Sequence, residues 1–103
     1  MPSDLALAKT ASLFAAFANE ARLRAVVALA RNGPMAVAEL MGVCGLEQSA
    51  LSHQLRVLRD EGLVVTRRQG KQVVYQLADE HIACILDDGL DHAQERQRKG
   101  KTS

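Results

Sequence analysis

Aromatic side chains are almost missing from this 103-residue chain: it has no tryptophan, and Phe14, Phe17 and Tyr75 are its whole complement. Proteins that grip single-stranded nucleic acid need aromatic platforms for base stacking, which disfavours that class. No run approaches the roughly 20 apolar residues that span a bilayer. The N-terminus lacks a cationic segment followed by a short apolar core, so a secretory signal is not expected either. Two cysteines forty positions apart, Cys44 and Cys84, do not make a disulfide framework, so reduced thiols and a cytoplasmic location are expected. No nucleophile–base pair or phosphate-cradling loop is recognisable, which argues against an enzyme.

What is present is a chain rich in Ala, Leu and Val, with 48% of residues hydrophobic. That suits one helical domain, and a domain this small gains from dimerisation because it buries a modest share of its own surface. The net charge of +1 hides a partition. Acids and bases balance over residues 1–47. Residues 48–76 carry Arg56, Arg59, Arg67, Arg68 and Lys71 against Asp60 and Glu61. Residues 77–95 carry Asp79, Glu80, Asp87, Asp88, Asp91 and Glu95 with no Lys or Arg, and the last eight residues are basic again. Solvated helix surface explains such blocks as readily as function does. Read functionally, they point to phosphates for the middle and cations for the acidic segment.

The spacing of Leu7, Ala11 and Phe14 predicts a helix over 4–17, capped by Ser3 or Asp4. Asn19 suits the cap of a second helix carrying Leu23, Val26, Val27 and Ala30, stopped by Asn32-Gly33-Pro34. A short third helix is predicted over 36–42, ended by Gly42 and Gly45 on either side of Cys44. A fourth spans about 47–61 and stops at Gly62; Leu51, Leu55 and Leu58 form its apolar stripe, opposite Ser49, Ser52, His53 and Arg56. Two β-rich runs at 63–68 and 72–77 bracket Gln69-Gly70-Lys71, where a glycine at the first turn position fits a type II′ hairpin. A last helix over 79–97 carries Ile82, Ile85, Leu86, Leu90 and Ala93, and residues 99–103 form a flexible tail. The expected fold is mainly α with a small β-hairpin. It is a winged helix–turn–helix domain over 1–98, its wing at 63–77, with an extra helix at each end.

In a helix–turn–helix the second helix lies in the major groove, its early residues nearest the base edges. Those residues are Gln48, Ser49, Ser52, His53 and Gln54. Gln pairs bidentately with adenine, and serine hydroxyls meet bases or phosphates. Arg56, Arg59, Arg67, Arg68 and Lys71 are the candidate phosphate contacts.

The last helix carries Asp79-x-His81 and His92-x-x-Glu95. Eleven residues at a rise of about 1.5 Å separate the two histidines by roughly 16 Å on nearly one face. Metal–nitrogen bonds of about 2 Å cannot bridge that within one helix. An antiparallel copy removes the difficulty, because a twofold axis sets Asp79 and His81 of one chain beside the partner subunit's His92 and Glu95, and does so twice. Two nitrogens and two carboxylates suit tetrahedral Zn(II), two ions per dimer, with Co(II) an alternative. The plain alternative is that Asp79 caps the helix and His81 decorates its start.

Over 13–77 the chain resembles the ArsR/SmtB family of metal-sensing repressors. The resemblance rests on Phe17-Ala18-Asn19-Glu20-Ala21-Arg22-Leu23-Arg24, on Ser49-Ala50-Leu51-Ser52-His53-Gln54-Leu55-Arg56-Val57-Leu58, and on the wing residues Gly62-Leu63-Val64, Arg67-Arg68-Gln69-Gly70-Lys71 and Val74-Tyr75-Gln76-Leu77. It implies a homodimer built on the first and last helices, bound to an imperfect inverted repeat of double-stranded operator DNA. It implies ligand roles for Asp79, His81, His92 and Glu95. Thiol sites found in other relatives fall in the third helix, where this chain reads Pro34-Met35-Ala36-Val37-Ala38-Glu39-Leu40. The expected activity is repression by the metal-free dimer, with release of DNA when zinc binds. Two other readings stay open: a thiol-responsive repressor using Cys44 and Cys84, and a dimeric interaction module with structural zinc.

Overall fold

A computed structural model describes the backbone of residues 1–102 and the side chains of residues 1–98. The first two helices begin where short polar side chains take up free N–H groups. Ser3 Oγ accepts from Ala6 N at 3.1 Å and starts α1, Asp4–Phe17. Asn19 Oδ1 accepts from Arg22 N at 3.0 Å and starts α2, Glu20–Asn32. Such caps are worth about 1 kcal/mol each.

The chain then does something its sequence did not announce. Met35–Ala36 forms a two-residue strand, β1, before α3 at Val37–Cys44. Helix α3 therefore starts later and runs further than 36–42. Gly42 lies inside it, and Gly45 alone ends it, in the left-handed conformation at φ +65°. Glu39 steadies the start of α3 by accepting from the Ala36 N–H at 3.0 Å.

Helix α4, Gln48–Asp60, matches the predicted fourth helix within a residue at each end. Strands β2, Val64–Gln69, and β3, Gln72–Leu77, form the wing, with Gln69 opposite Gln72 and Val64 opposite Leu77. Gly70 has φ +65°, and among the described residues no non-glycine has positive φ. That excludes a type I′ turn and fits the expected type II′. The hairpin is one sheet with β1 on its other side, in the order β1-β3-β2, through Met35↔Tyr75 and Ala36↔Val74.

Helix α5 runs Glu80–Thr102, longer than the predicted 79–97. The flexible tail expected at 99–103 lies outside the residues whose side chains are described, and Ser103 outside the description altogether. A single core joins α2, α3, α4, the sheet and the first half of α5. Leu40, Leu51, Leu55, Leu58 and Leu63 are its largest fully buried side chains, and Ile82 and Leu86 anchor α5 to it. At roughly 25 cal/mol per Å² of apolar surface, each buried Leu contributes about 2 kcal/mol. Beyond Leu90 every described residue of α5 is exposed, so this helix leaves the core that anchors it.

Candidate nucleic-acid interface and metal centre

Burying Leu51, Leu55 and Leu58 turns the opposite stripe of α4 outward. Gln48, Ser49, Ser52, His53, Arg56 and Arg59 are all exposed. Ser49 Oγ donates to Glu47 Oε1 at 3.4 Å, a contact within the first turn. Arg67, Arg68 and Lys71 are exposed around the hairpin tip. Strand alternation sends Arg67 and Arg68 to opposite faces of the wing, with Arg67 opposite Val74 and Arg68 opposite Val73.

Gln54, grouped with these residues by its place in the sequence, sits differently. It is half-buried, and its Oε1 accepts from Arg22 Nη1 at 3.0 Å. Arg22 Nε donates at the same time to the Ala16 carbonyl at 2.8 Å, in the last turn of α1. A second contact joins α1 to the far end of α4: Ser12 Oγ donates to Glu61 Oε2 at 2.8 Å. Arg22, Ser12 and Glu61 were not singled out by sequence. Arg22 lies in the stretch that carries the family resemblance, but its partner is 32 positions away.

The four candidate metal ligands belong to one element. Helix α5 is continuous from Glu80, so His81 and His92 keep the eleven-residue helical separation of roughly 16 Å. Asp79 precedes the helix and caps it, with Oδ1 accepting from His81 N at 2.9 Å and Ile82 N at 3.3 Å. His81 Nδ1 lies 3.5 Å from the same oxygen, and the His81 side chain is 94% exposed. His92 and Glu95 are exposed further along. Among the described residues, no three His, Cys, Asp or Glu side chains of this one chain converge on a point.

Beside this helix lies an apolar groove of about 300 Å³, lined by Phe14, Phe17 and Leu23 on one side and by Ile85, Leu86 and Leu90 on the other. Helix α1 buries Ala16 and packs Leu13 and Phe17 on the core, yet leaves Phe14 at 53% and Leu7 at 43% exposure. It is apolar on two sides, and the chain itself covers one. Both cysteines are free thiols. Cys44 is buried, and desolvation pushes its pKa up, with nearby Arg24 pulling weakly the other way. A reactive thiol needs the opposite shift.

Comparison with known proteins agrees with this architecture. The profile described as "Bacterial regulatory protein, arsR family" matches residues 19–66, from the cap of α2 into β2. The regulator NmtR of Mycobacterium tuberculosis is 48% identical over 89 residues, spanning 86% of this chain and 73% of NmtR. The chain belongs to the arsR family of bacterial regulatory proteins. A transcriptional repressor SmtB homolog of Synechocystis is 44% identical over 85 residues, 82% of this chain and 64% of that protein. The homodimeric winged helix–turn–helix DNA-binding domain Mb0332 of Mycobacterium bovis superimposes with a TM-score of 0.85 at 30% identity, covering 95% of this chain and 93% of that one. This arsR-family chain is a winged-helix transcriptional repressor and not an enzyme. No described helix is long and apolar enough to cross a membrane.

Proposed function

We propose that this arsR-family chain works as a homodimer that represses transcription when metal-free and leaves its operator when Zn(II), or Co(II) in its place, binds between the two α5 helices. One observation carries the reading: α5 is an unbroken helix whose exposed donors are too far apart to serve one ion within a chain. Each site would consist of Asp79 and His81 from one protomer with the partner subunit's His92 and Glu95, giving two sites per dimer. Two imidazoles and two carboxylates are a donor set that suits tetrahedral zinc. The capping role of Asp79 uses Oδ1 and leaves its other oxygen for a ligand. The twice-apolar α1 and the groove against α5 supply the kind of surface that a second copy covers.

In this reading α4 of each protomer enters a major groove, with Gln48, Ser49, Ser52 and His53 toward base edges. Arg56, Arg59 and the wing cations Arg67, Arg68 and Lys71 hold phosphates of an inverted-repeat operator. Zinc supplies a bridge that fixes one α5 against the other. The acids of α5, which repel in the apo dimer, become ligands or near neighbours of cations, and the packing between protomers changes. A coupling of about 1–3 kcal/mol lowers operator affinity about 5–150-fold.

The test is operator affinity with and without zinc for the parent and for His92→Ala, together with metal analysis of the dimer. The reading expects two zinc ions per dimer and zinc-driven release that His92→Ala abolishes. Equal release of parent and variant would exclude the four-residue site as the sensor. Chelation that unfolds or dissociates the dimer, without tightening DNA binding, would make zinc structural.

A further inference from the structure

The contact between Arg22 and Gln54 has no role in the function proposed so far, and it joins the elements on which that function depends. The Arg22 guanidinium holds two acceptors: Nε donates to the Ala16 carbonyl at the end of α1, at 2.8 Å, and Nη1 donates to Gln54 Oε1 in the middle of α4, at 3.0 Å. The Arg22 backbone N–H is bonded to Asn19 Oδ1, so the residue stands in the first turn of α2 with its base fixed. Ser12 on α1 holds Glu61 at the other end of α4, at 2.8 Å. Helix α4 is thus tied at its middle to Arg22 of α2, which also holds the end of α1, and at its C-terminal end to α1 directly.

We infer that Arg22 is a positioning residue for the recognition helix and that Gln54 acts through it, rather than by reading a base. A planar guanidinium fork fixes direction as well as distance, because its donors are set at rigid angles. With Ala16 O and Gln54 Oε1 both engaged, α4 cannot turn about its own axis without breaking one bond to a half-buried charge. The rotation thereby held decides which atoms of Ser52 and His53 face the groove. Reading adenine would need the Gln54 amide to present a donor and an acceptor together to the base edge, and here Oε1 is held toward Arg22 on α2 in a half-buried contact. The inference rests on the assignment of the exposed face of α4 to the groove.

The experiment measures the ratio of specific to non-specific binding, by fluorescence anisotropy, for the full-length metal-free protein. The specific probe is the duplex that the parent selects from a random library, and the non-specific probe is a scrambled duplex of equal length. Work at a temperature well below unfolding, checked by circular dichroism for each variant, keeps a simple loss of folded protein out of the ratio. Gln54→Leu and Arg22→Lys are each expected to cut the ratio about tenfold, the order expected for a hydrogen bond to a charged group. The loss should spread over all positions of the site, and the double variant should cost little more than either single one.

Gln54→Glu separates positioning from reading. Its carboxylate still accepts from Arg22 but cannot donate to adenine, so it should recover most of the ratio lost in Gln54→Leu. Loss of preference at one A·T position in Gln54→Glu, with the rest of the site unchanged, would make Gln54 a base reader and overturn the inference. Ser52→Ala/His53→Ala is the control for the groove assignment. If it narrows the ratio while Gln54→Leu does not, the positioning role alone is wrong. If it changes nothing, the groove assignment fails and the positioning role falls with it.

Discussion

Removing the three wing cations together, as Arg67→Ala/Arg68→Ala/Lys71→Ala, should change the salt dependence of operator binding more than any other surface substitution. Each protomer exposes Arg56, Arg59, Arg67, Arg68 and Lys71 on α4 and the wing. If all five reach phosphates, a dimer makes about ten such contacts, and the slope of log K against log salt is about −9. The triple variant deletes three of five per protomer and should bring the slope to about −3.6. Between 50 and 200 mM salt the parent would then lose about 10⁵-fold in affinity and the variant about 10²-fold. Fluorescence anisotropy titrations at four or five salt concentrations give both slopes. Single variants should be unequal, because Arg67 and Arg68 project from opposite faces of the strand. A triple variant with the parent's slope would mean that the wing does not touch the DNA backbone.

Three further outcomes follow from the packing and the chemistry of the ends. Leu55→Ala, at a position 1% exposed in the core, should destabilise the protein by about 2–5 kcal/mol in urea unfolding; a loss under 1 kcal/mol would mean that α4 is not packed as described. Asp79→Ala should cost about 1 kcal/mol through the lost cap of α5, whereas Asp79→Asn keeps the cap and should be nearly neutral. Both should weaken zinc binding in calorimetry, which separates the capping role of that side chain from its ligand role. A maleimide at neutral pH should label exposed Cys84 well before buried Cys44. Burial raises the Cys44 pKa, so the folded state holds that proton more tightly than the unfolded chain. The associated stability is present below the ordinary thiol range and is lost as pH rises through the raised value. Equal labelling rates would reopen a thiol switch.

Elements with strong local signals were legible in the sequence. Asn19 announced the start of α2, and the Leu51, Leu55, Leu58 stripe announced both α4 and its outward face. The Gly70 turn was readable because few residues other than glycine accept its backbone angle. Strand β1 was not readable: two residues show no alternation, and Met35–Ala36 is extended because β3 offers it an edge about forty positions later. Gly42 misled for a related reason, since a helix tolerates one glycine at a cost of about 1 kcal/mol when the turns around it are packed. The exposed face of α4 was visible residue by residue, but the tie from Gln54 to Arg22 spans 32 positions and has no sequence period. Asp79, His81, His92 and Glu95 stand out in the sequence by a spacing that excludes a site within one chain, and their role as ligands rests on the proposed dimer.

Mixed dimers test the central claim most directly. One chain carries Asp79→Ala/His81→Ala and the other His92→Ala/Glu95→Ala, the two are co-expressed with different affinity tags, and zinc in the doubly purified dimer is counted by metal analysis. A ligand set shared across the twofold axis predicts no zinc in either variant homodimer and one zinc in the mixed dimer, where one intact half-site from each chain meets. Two ions in either homodimer, or none in the mixed dimer, would contradict the shared site.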